Sequence, residues 1–181
     1  PVQNFDLTTG LKMQKGTGPA KMTLVEFADF RCPHCRHAVP ALHKFTERHP
    51  DVLLIFKPFP LDGTCNAGMK SGGDGVSCGL AFLTMCSEKM IQKGWEVHDF
   101  IFDQQDEIHK TNNLSLVINQ VVDKFKLNRT DVEKCLQSEE IIQLVKGTAA
   151  EGEKAQIGGT PTVFANGKLL QGGQLIPVLE E

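Results

Sequence analysis

Val25-Glu26-Phe27-Ala28-Asp29-Phe30-Arg31-Cys32-Pro33-His34-Cys35 is the stretch on which the reading of this chain turns. Residues 22–30, Met-Thr-Leu-Val-Glu-Phe-Ala-Asp-Phe, are β-prone and apolar at both parities, as in a strand buried on both faces. Residues 33–48 switch to a helical pattern, with a kink expected at Pro40. Cys32 and Cys35 therefore stand where a buried strand hands over to a helix. A helix start offers unpaired amides and partial positive charge, so a Cys32 thiolate there should titrate well below the usual value of about 8.5. Cys35, one turn on, is within disulfide reach. Pro33 sits where a missing amide hydrogen loses no partner, and His34 adds a cationic donor when protonated.

Outward from this point, Val52-Leu-Leu-Ile-Phe56 is a second buried strand, closed by Pro58 and Pro60. Strand, helix and strand within this span form a βαβ unit with parallel strands. Residues 61–75 are a Gly-rich loop, and the chain then reads as helical for about eighty residues. Apolar stripes run through Cys78, Ala81, Phe82, Met85, Cys86 and Met90, then 95–102, then Leu114, Val117, Ile118, Val121, Val122 and Phe125. Thr130-Asp-Val-Glu133 has the form of a capping box opening a short helix with Val132, Cys135 and Leu136 inward, and a last helix covers 139–156. Gly158-Gly-Thr-Pro-Thr-Val-Phe164, Asn166-Gly167 and Lys168-Leu-Leu-Gln171 read as a β-hairpin. The fold class is α/β: a sheet domain formed by 1–62 and 157–181, interrupted by a helical insertion over 63–156.

The composition agrees with a globular chain. Of 181 residues, 40% are hydrophobic and 23% charged, with net charge −3. This excludes a disordered, collagen-like or coiled-coil chain and speaks against nucleic-acid or anionic-membrane binding. No apolar run approaches the roughly 20 residues needed to span a bilayer. The start, Pro1-Val2-Gln3-Asn4, has no export signal, so none is expected unless it precedes this numbering. The six cysteines, Cys32, Cys35, Cys65, Cys78, Cys86 and Cys135, suit an exported protein better than a cytosolic one.

Two further pieces bear on chemistry. Glu26, inside an apolar strand six residues before Cys32, should have a raised pKa and shuttle protons for Cys35, with Lys57 at the end of the neighbouring strand as its partner. The alternative is a carboxylate at a sheet edge that reaches solvent. Thr160-Pro161 precedes the last apolar strand. A cis bond there would expose the Thr160 backbone as an edge for an extended peptide, although the residues alone favour an ordinary trans proline. For the CxxC pair, the rival readings are half of a zinc site, with His37 as third ligand, and two inert buried thiols.

With these pieces in place the chain resembles the DsbA-like thiol:disulfide oxidoreductases of the thioredoxin superfamily. The matching stretches are 25–35, Phe59-Pro-Leu-Asp62, Trp95-Glu-Val-His-Asp99 and 158–164, in the family's order. The resemblance implies a thioredoxin fold with a helical insertion between its βαβ and ββα halves. It implies that Cys32 is the exposed nucleophile, Cys35 the resolving thiol, Glu26 the buried acid and Pro161 a cis-proline, with Pro33, His34, Thr160 and Pro161 facing substrate. It also implies an extracytoplasmic, monomeric dithiol oxidase with no cofactor beyond the redox-active disulfide and no metal. Its substrates would be cysteine-containing exported proteins, and its partner a membrane reoxidant, either DsbB-like or a vitamin-K-epoxide-reductase homologue, the chain itself being membrane-tethered or free. An isomerase or reductase on the same fold is the alternative.

Residues 174–181 are short and contain Pro177, so the family's final helix is expected to be truncated. Of the four other cysteines, Cys65 and Cys78 flank the Gly-rich loop, and Cys86 and Cys135 lie on apolar helix faces. Bridges Cys65–Cys78 and Cys86–Cys135 are the expected pairing among three. Reduced thiols at Cys86 and Cys135, or a second relay through Cys65 and Cys78, are the alternatives. Trp95, His98 and Phe102 read as packing residues of the insertion.

Overall fold

A computed structural model describes residues 1–171. Its elements are β1 (Leu11–Met13), β2 (Met22–Ala28), α1 (Pro33–Arg48), β3 (Val52–Pro58), α2 (Val76–Ile91), α3 (Gly94–Asp103), α4 (Gln105–Thr111), α5 (Leu114–Phe125), α6 (Arg129–Leu136), α7 (Glu139–Lys154), β4 (Thr162–Ala165) and β5 (Lys168–Leu169). The five strands form one sheet in the order β1-β3-β2-β4-β5. β2 and β3 are parallel, as a right-handed crossover through α1 requires, and the other neighbours are antiparallel. This is a mixed α/β thioredoxin-like fold, with only helices between β3 and β4. The expectation for residues 174–181 lies outside the described residues.

Strand parity sorts the core. Leu24, Leu54 and Val163 face α1, packing on Ala38 and Leu42. Val25, Phe27, Ile55 and Phe164 face the other way, onto Ala149 of α7. Both faces of β2 and β3 are covered, which is why these strands read as nearly continuous apolar runs.

Several local readings need correction. α4, unmarked by any apolar stripe of its own, was missing from the sequence reading. α6 is capped by Asn128, whose side chain accepts the Asp131 amide, so Thr130 lies inside the helix and not at its cap. β5 ends at Leu169, two residues before the expected limit. In the hairpin, Asn166 (φ 49°) and Gly167 (φ 79°) both adopt the left-handed conformation that a tight turn between twisted strands demands.

α2 is the buried axis of the insertion, with α3, α5, α6 and α7 around it. Cys86 of α2 is bonded to Cys135 of α6, and Cys65 of the loop after β3 to Cys78 of α2. The reduced-thiol alternative for Cys86 and Cys135 is not what the structure holds.

Candidate active site

β2 stops at Ala28 and α1 begins at Pro33, and the turn between them delivers Cys32 to the helix cap. The Cys32 amide donates to Asp29 O (3.1 Å), which closes that turn. Its sulfur serves as the capping group, accepting the Cys35 amide at 3.2 Å. No acidic residue stands in the first turn of α1 to oppose negative charge there. Both thiols are free; Cys32 is 8% exposed and Cys35 not at all.

The two sulfurs therefore separate electrically. Hydrogen bonding from the Cys35 thiol first, and then from the Cys35 and His34 amides, outweighs burial and brings Cys32 from 9.0 down to about 5. Burial first, and then donation of its own thiol proton to Cys32, push Cys35 far up. At neutral pH Cys32 is the thiolate and Cys35 the thiol.

Across the cap, the Thr160–Pro161 peptide is cis, and the Thr160 carbonyl lies 3.5 Å from Cys32 Sγ. Pro33 and His34 are exposed at the rim. A groove runs alongside, lined by Pro33, Arg36, His37, Gln105, Asp106 and His109. Behind the pair, Glu26 is 2% exposed on a central strand, between Phe56 of β3 and Val163 of β4. The edge-carboxylate alternative fails, because β2 has a neighbour on each side. Burial, and then the charge of Cys32, push Glu26 up from 4.5 to about 8.

A buried acid, a thiolate and a protonated thiol under a cis-proline loop are the groups that thiol–disulfide exchange would use, and residues 23–181 match the model of the DSBA-like thioredoxin domain. The chain belongs to that family. This DSBA-like chain is 31% identical over 173 residues to a probable disulfide bond formation protein D of Bacillus anthracis, covering 91% of this chain and 73% of that protein. It is also 26% identical to a Na(+)/H(+) antiporter NhaA 3 of Salinispora tropica, where the match takes in 91% of this chain but 23% of that protein. In fold it is similar to the thiol-disulfide exchange protein alpha-DsbA2 of Wolbachia pipientis (TM-score 0.76, 18% identity, 97% of this chain and 85% of that one). A thioredoxin-like oxidoreductase of Silicibacter pomeroyi follows at TM-score 0.74 and 16% identity, over 94% of this chain and 87% of that one. The DSBA-like chain is a thiol:disulfide oxidoreductase.

Lys57 must be corrected. It pairs in register with Phe27, one step beyond the Glu26–Phe56 pair, so it points to the opposite face of the sheet. Its ammonium is fully buried there and donates to Asp6 O (2.6 Å), Thr9 Oγ1 (2.7 Å) and Glu151 Oε1 (2.7 Å). It ties the N-terminal arm and α7 to β3 and does not meet Glu26.

Two residues of the DSBA-like site escaped the sequence reading. Gln105 of α4, 2% exposed, donates from Nε2 to Phe30 O (2.7 Å) and Cys32 O (3.0 Å), so the insertion clasps the turn that carries the nucleophile. Asp29 is 4% exposed, and burial dominates over donors from Ser77 and the Arg31 amide to push it up to about 6. Asp29 stood in plain view before the CxxC pair. Gln105 carried no local signal at all.

Proposed function

We propose that this chain is an extracytoplasmic protein dithiol oxidase that introduces disulfides into exported proteins through Cys32 and Cys35. The observation that carries the reading is the opposite displacement of the two thiols. A substrate thiolate attacks Cys32 Sγ of the oxidised pair; the Cys32–Cys35 bond breaks and Cys35 leaves as a thiolate. Its high proton affinity calls for an acid, and Glu26, still protonated at neutral pH, supplies the proton. The mixed disulfide lies along Thr160-Pro161, with Pro33 and His34 at the rim. A second substrate thiolate then attacks the substrate sulfur and expels Cys32 as a thiolate its surroundings already favour. Two electrons have passed from substrate dithiol to the pair, which a membrane reoxidant, DsbB-like or a vitamin-K-epoxide-reductase homologue, takes on.

In this scheme residues 1–62 carry the reacting sulfurs, 157–171 bring Thr160-Pro161 against Cys32, and 63–156 brace them through Gln105. The chain acts as a monomer, without a cofactor besides its own disulfide. The name of the Bacillus anthracis relative supports disulfide formation. The rival metal module built on Cys32, Cys35 and His37 has no support, since those side chains form no three-ligand cluster among the described residues.

The deciding experiment measures the Cys32 thiolate titration and the potential of the pair together. A midpoint near 5 and a potential near the approximately −120 mV of a strong oxidant are expected, and a value near the approximately −270 mV of thioredoxin overturns the oxidase reading. Given a peptide in its disulfide form, the Cys32 thiolate of Cys35→Ala should attack that bond, release one peptide sulfur as a thiol and accumulate as the mixed disulfide, since no second thiol is there to resolve it; a variant that traps none removes the mechanism.

A further inference from the structure

Among the described residues, one cluster of metal-ligating side chains lies outside the thiol pair. His43, on the half-buried flank of α1, places Nε2 2.9 Å from Asp99 Oδ1. His98, buried in α3, places Nδ1 2.8 Å from the same oxygen. The three ligand atoms lie within 4.8 Å of one another. We propose that His43, His98 and Asp99 form a binding site for a zinc-class divalent ion, with two imidazole nitrogens, one carboxylate oxygen and a remaining position open to solvent.

The surroundings of His98 argue for a cation. The ring is 1% exposed and enclosed by Phe30, Phe56, Trp95 and Phe102, with centroids 4.6 to 5.7 Å away. Its Nε2 has no hydrogen-bond partner among the described residues. If Nδ1 carries the proton and donates to Asp99, a bare Nε2 lone pair is left against aromatic rings, with nothing to accept from. If Nε2 carries the proton, its N–H lies among aromatic rings, a contact that is weakly favourable. The Nδ1 lone pair then confronts the Asp99 carboxylate at hydrogen-bond distance with no proton between them. A doubly protonated ring would still leave its Nε2–H among the aromatic rings with no acceptor, and would add a charge there. A divalent ion resolves the conflict without protonation, because the ion takes the Nδ1 lone pair and the carboxylate together.

The geometry is close to what such an ion needs. Zinc binds imidazole nitrogen and carboxylate oxygen at about 2.0–2.2 Å, which in a tetrahedral site sets neighbouring ligand atoms about 3.3–3.6 Å apart, so the two contacts to Asp99 need open by roughly half an ångström. Imidazole-rich sets select zinc, copper or nickel over magnesium or calcium. Asp99 is 45% and His43 25% exposed in their side chains, so an ion reaches the site from solvent. His43 follows Cys35 by eight residues of α1, about 12 Å along the axis. The ion is thus a staple between the active-site helix and the insertion, and takes no part in thiol exchange.

The test uses the full chain with Cys32–Cys35 oxidised, which removes thiolate ligands, and titrates it with Zn2+ by calorimetry under chelator competition. One zinc per chain is expected, with a raised Tm. His43→Gln and Asp99→Asn, shown by circular dichroism to be folded, should each weaken binding by about 100-fold or more, since even outer-shell losses reach that size. His109→Gln, in the groove beside Cys32, should not change it. No saturable binding, or binding that survives both substitutions, overturns the proposal. X-ray absorption on zinc-loaded wild-type protein tests it without any variant: two imidazoles and no sulfur are expected, and any other nitrogen and sulfur count overturns it.

Discussion

At the scale of single residues, Cys32 and Cys35 are the same side chain three positions apart, and their protons are held very differently. Cys32 stands outside the helix and receives hydrogen bonds, whereas Cys35 stands inside and is buried. The position of Cys32 at a helix start was visible in the order strand, Cys, Pro. The Thr160 carbonyl set 3.5 Å from its sulfur was not, because Thr160 arrives from 128 residues away. Glu26 shows the same division: its place in an apolar strand is local information, while its lack of any neutralising partner depends on which way Lys57 points. This makes a pH prediction. Unfolded, Glu26 ionises near 4.5; folded, it keeps its proton to about 8. Below 4.5 the two states bind the proton alike. Between the two values only the folded chain retains it, so stability falls as pH rises, and above about 8 the loss levels off. Glu26→Gln abolishes that loss. The variant should match the wild type near pH 4 and exceed it by on the order of 3–5 kcal/mol above pH 8, by denaturant unfolding of the reduced proteins. A constant difference across this range would show that the carboxyl is not buried uncharged.

At the scale of elements, α7 offers two glycines with opposite expectations. Glycine in a helix interior costs about 1 kcal/mol relative to alanine. A Cβ at Gly147 meets nothing within 4 Å, so Gly147→Ala should recover about that amount. A Cβ at Gly152 would stand 2.6 Å from Phe59 Cδ2 and 3.1 Å from Phe27 Cδ1, and both rings are buried. Overpacking of about 1–3 kcal/mol then outweighs the propensity gain, and Gly152→Ala should be net destabilising. Thermal melts of the pair decide this; two stabilised variants would mean that α7 does not press on Phe27 and Phe59 as described. The sequence could place α7, read as a helix over 139–156, but could not tell the two glycines apart. The α6 boundary failed for a related reason, since Asn128 and Thr130 are both able to cap and only packing of the preceding turn selects between them.

At the scale of the whole molecule, the chain is held by contacts that close long loops. Cys86–Cys135 spans 49 residues, and its removal from both ends, as Cys86→Ala with Cys135→Ala, should lower stability by roughly 4 kcal/mol in the chain-entropy model while the Cys32 titration stays in place. A shifted titration would show that the insertion tunes the nucleophile and does not merely brace it. Lys57 joins the N-terminal arm, β3 and α7 through three acceptors. Lys57→Ala leaves the Glu151 carboxylate and its neighbours without their cation, so about 3–5 kcal/mol of destabilisation is expected with the thiolate absorbance of Cys32 unchanged. An altered thiolate signal would return Lys57 to the active site. The sequence by itself determined the succession of strands and helices, the helix start under Cys32 and the place of Glu26 within an apolar strand, because each follows from periodicity and chemistry within a few neighbouring residues. Only the tertiary structure decided that Gln105 clasps Cys32, that Lys57 faces α7 and that His43 meets Asp99. Such pairings depend on strand parity and on how helices distant in sequence dock, and no local pattern encodes either.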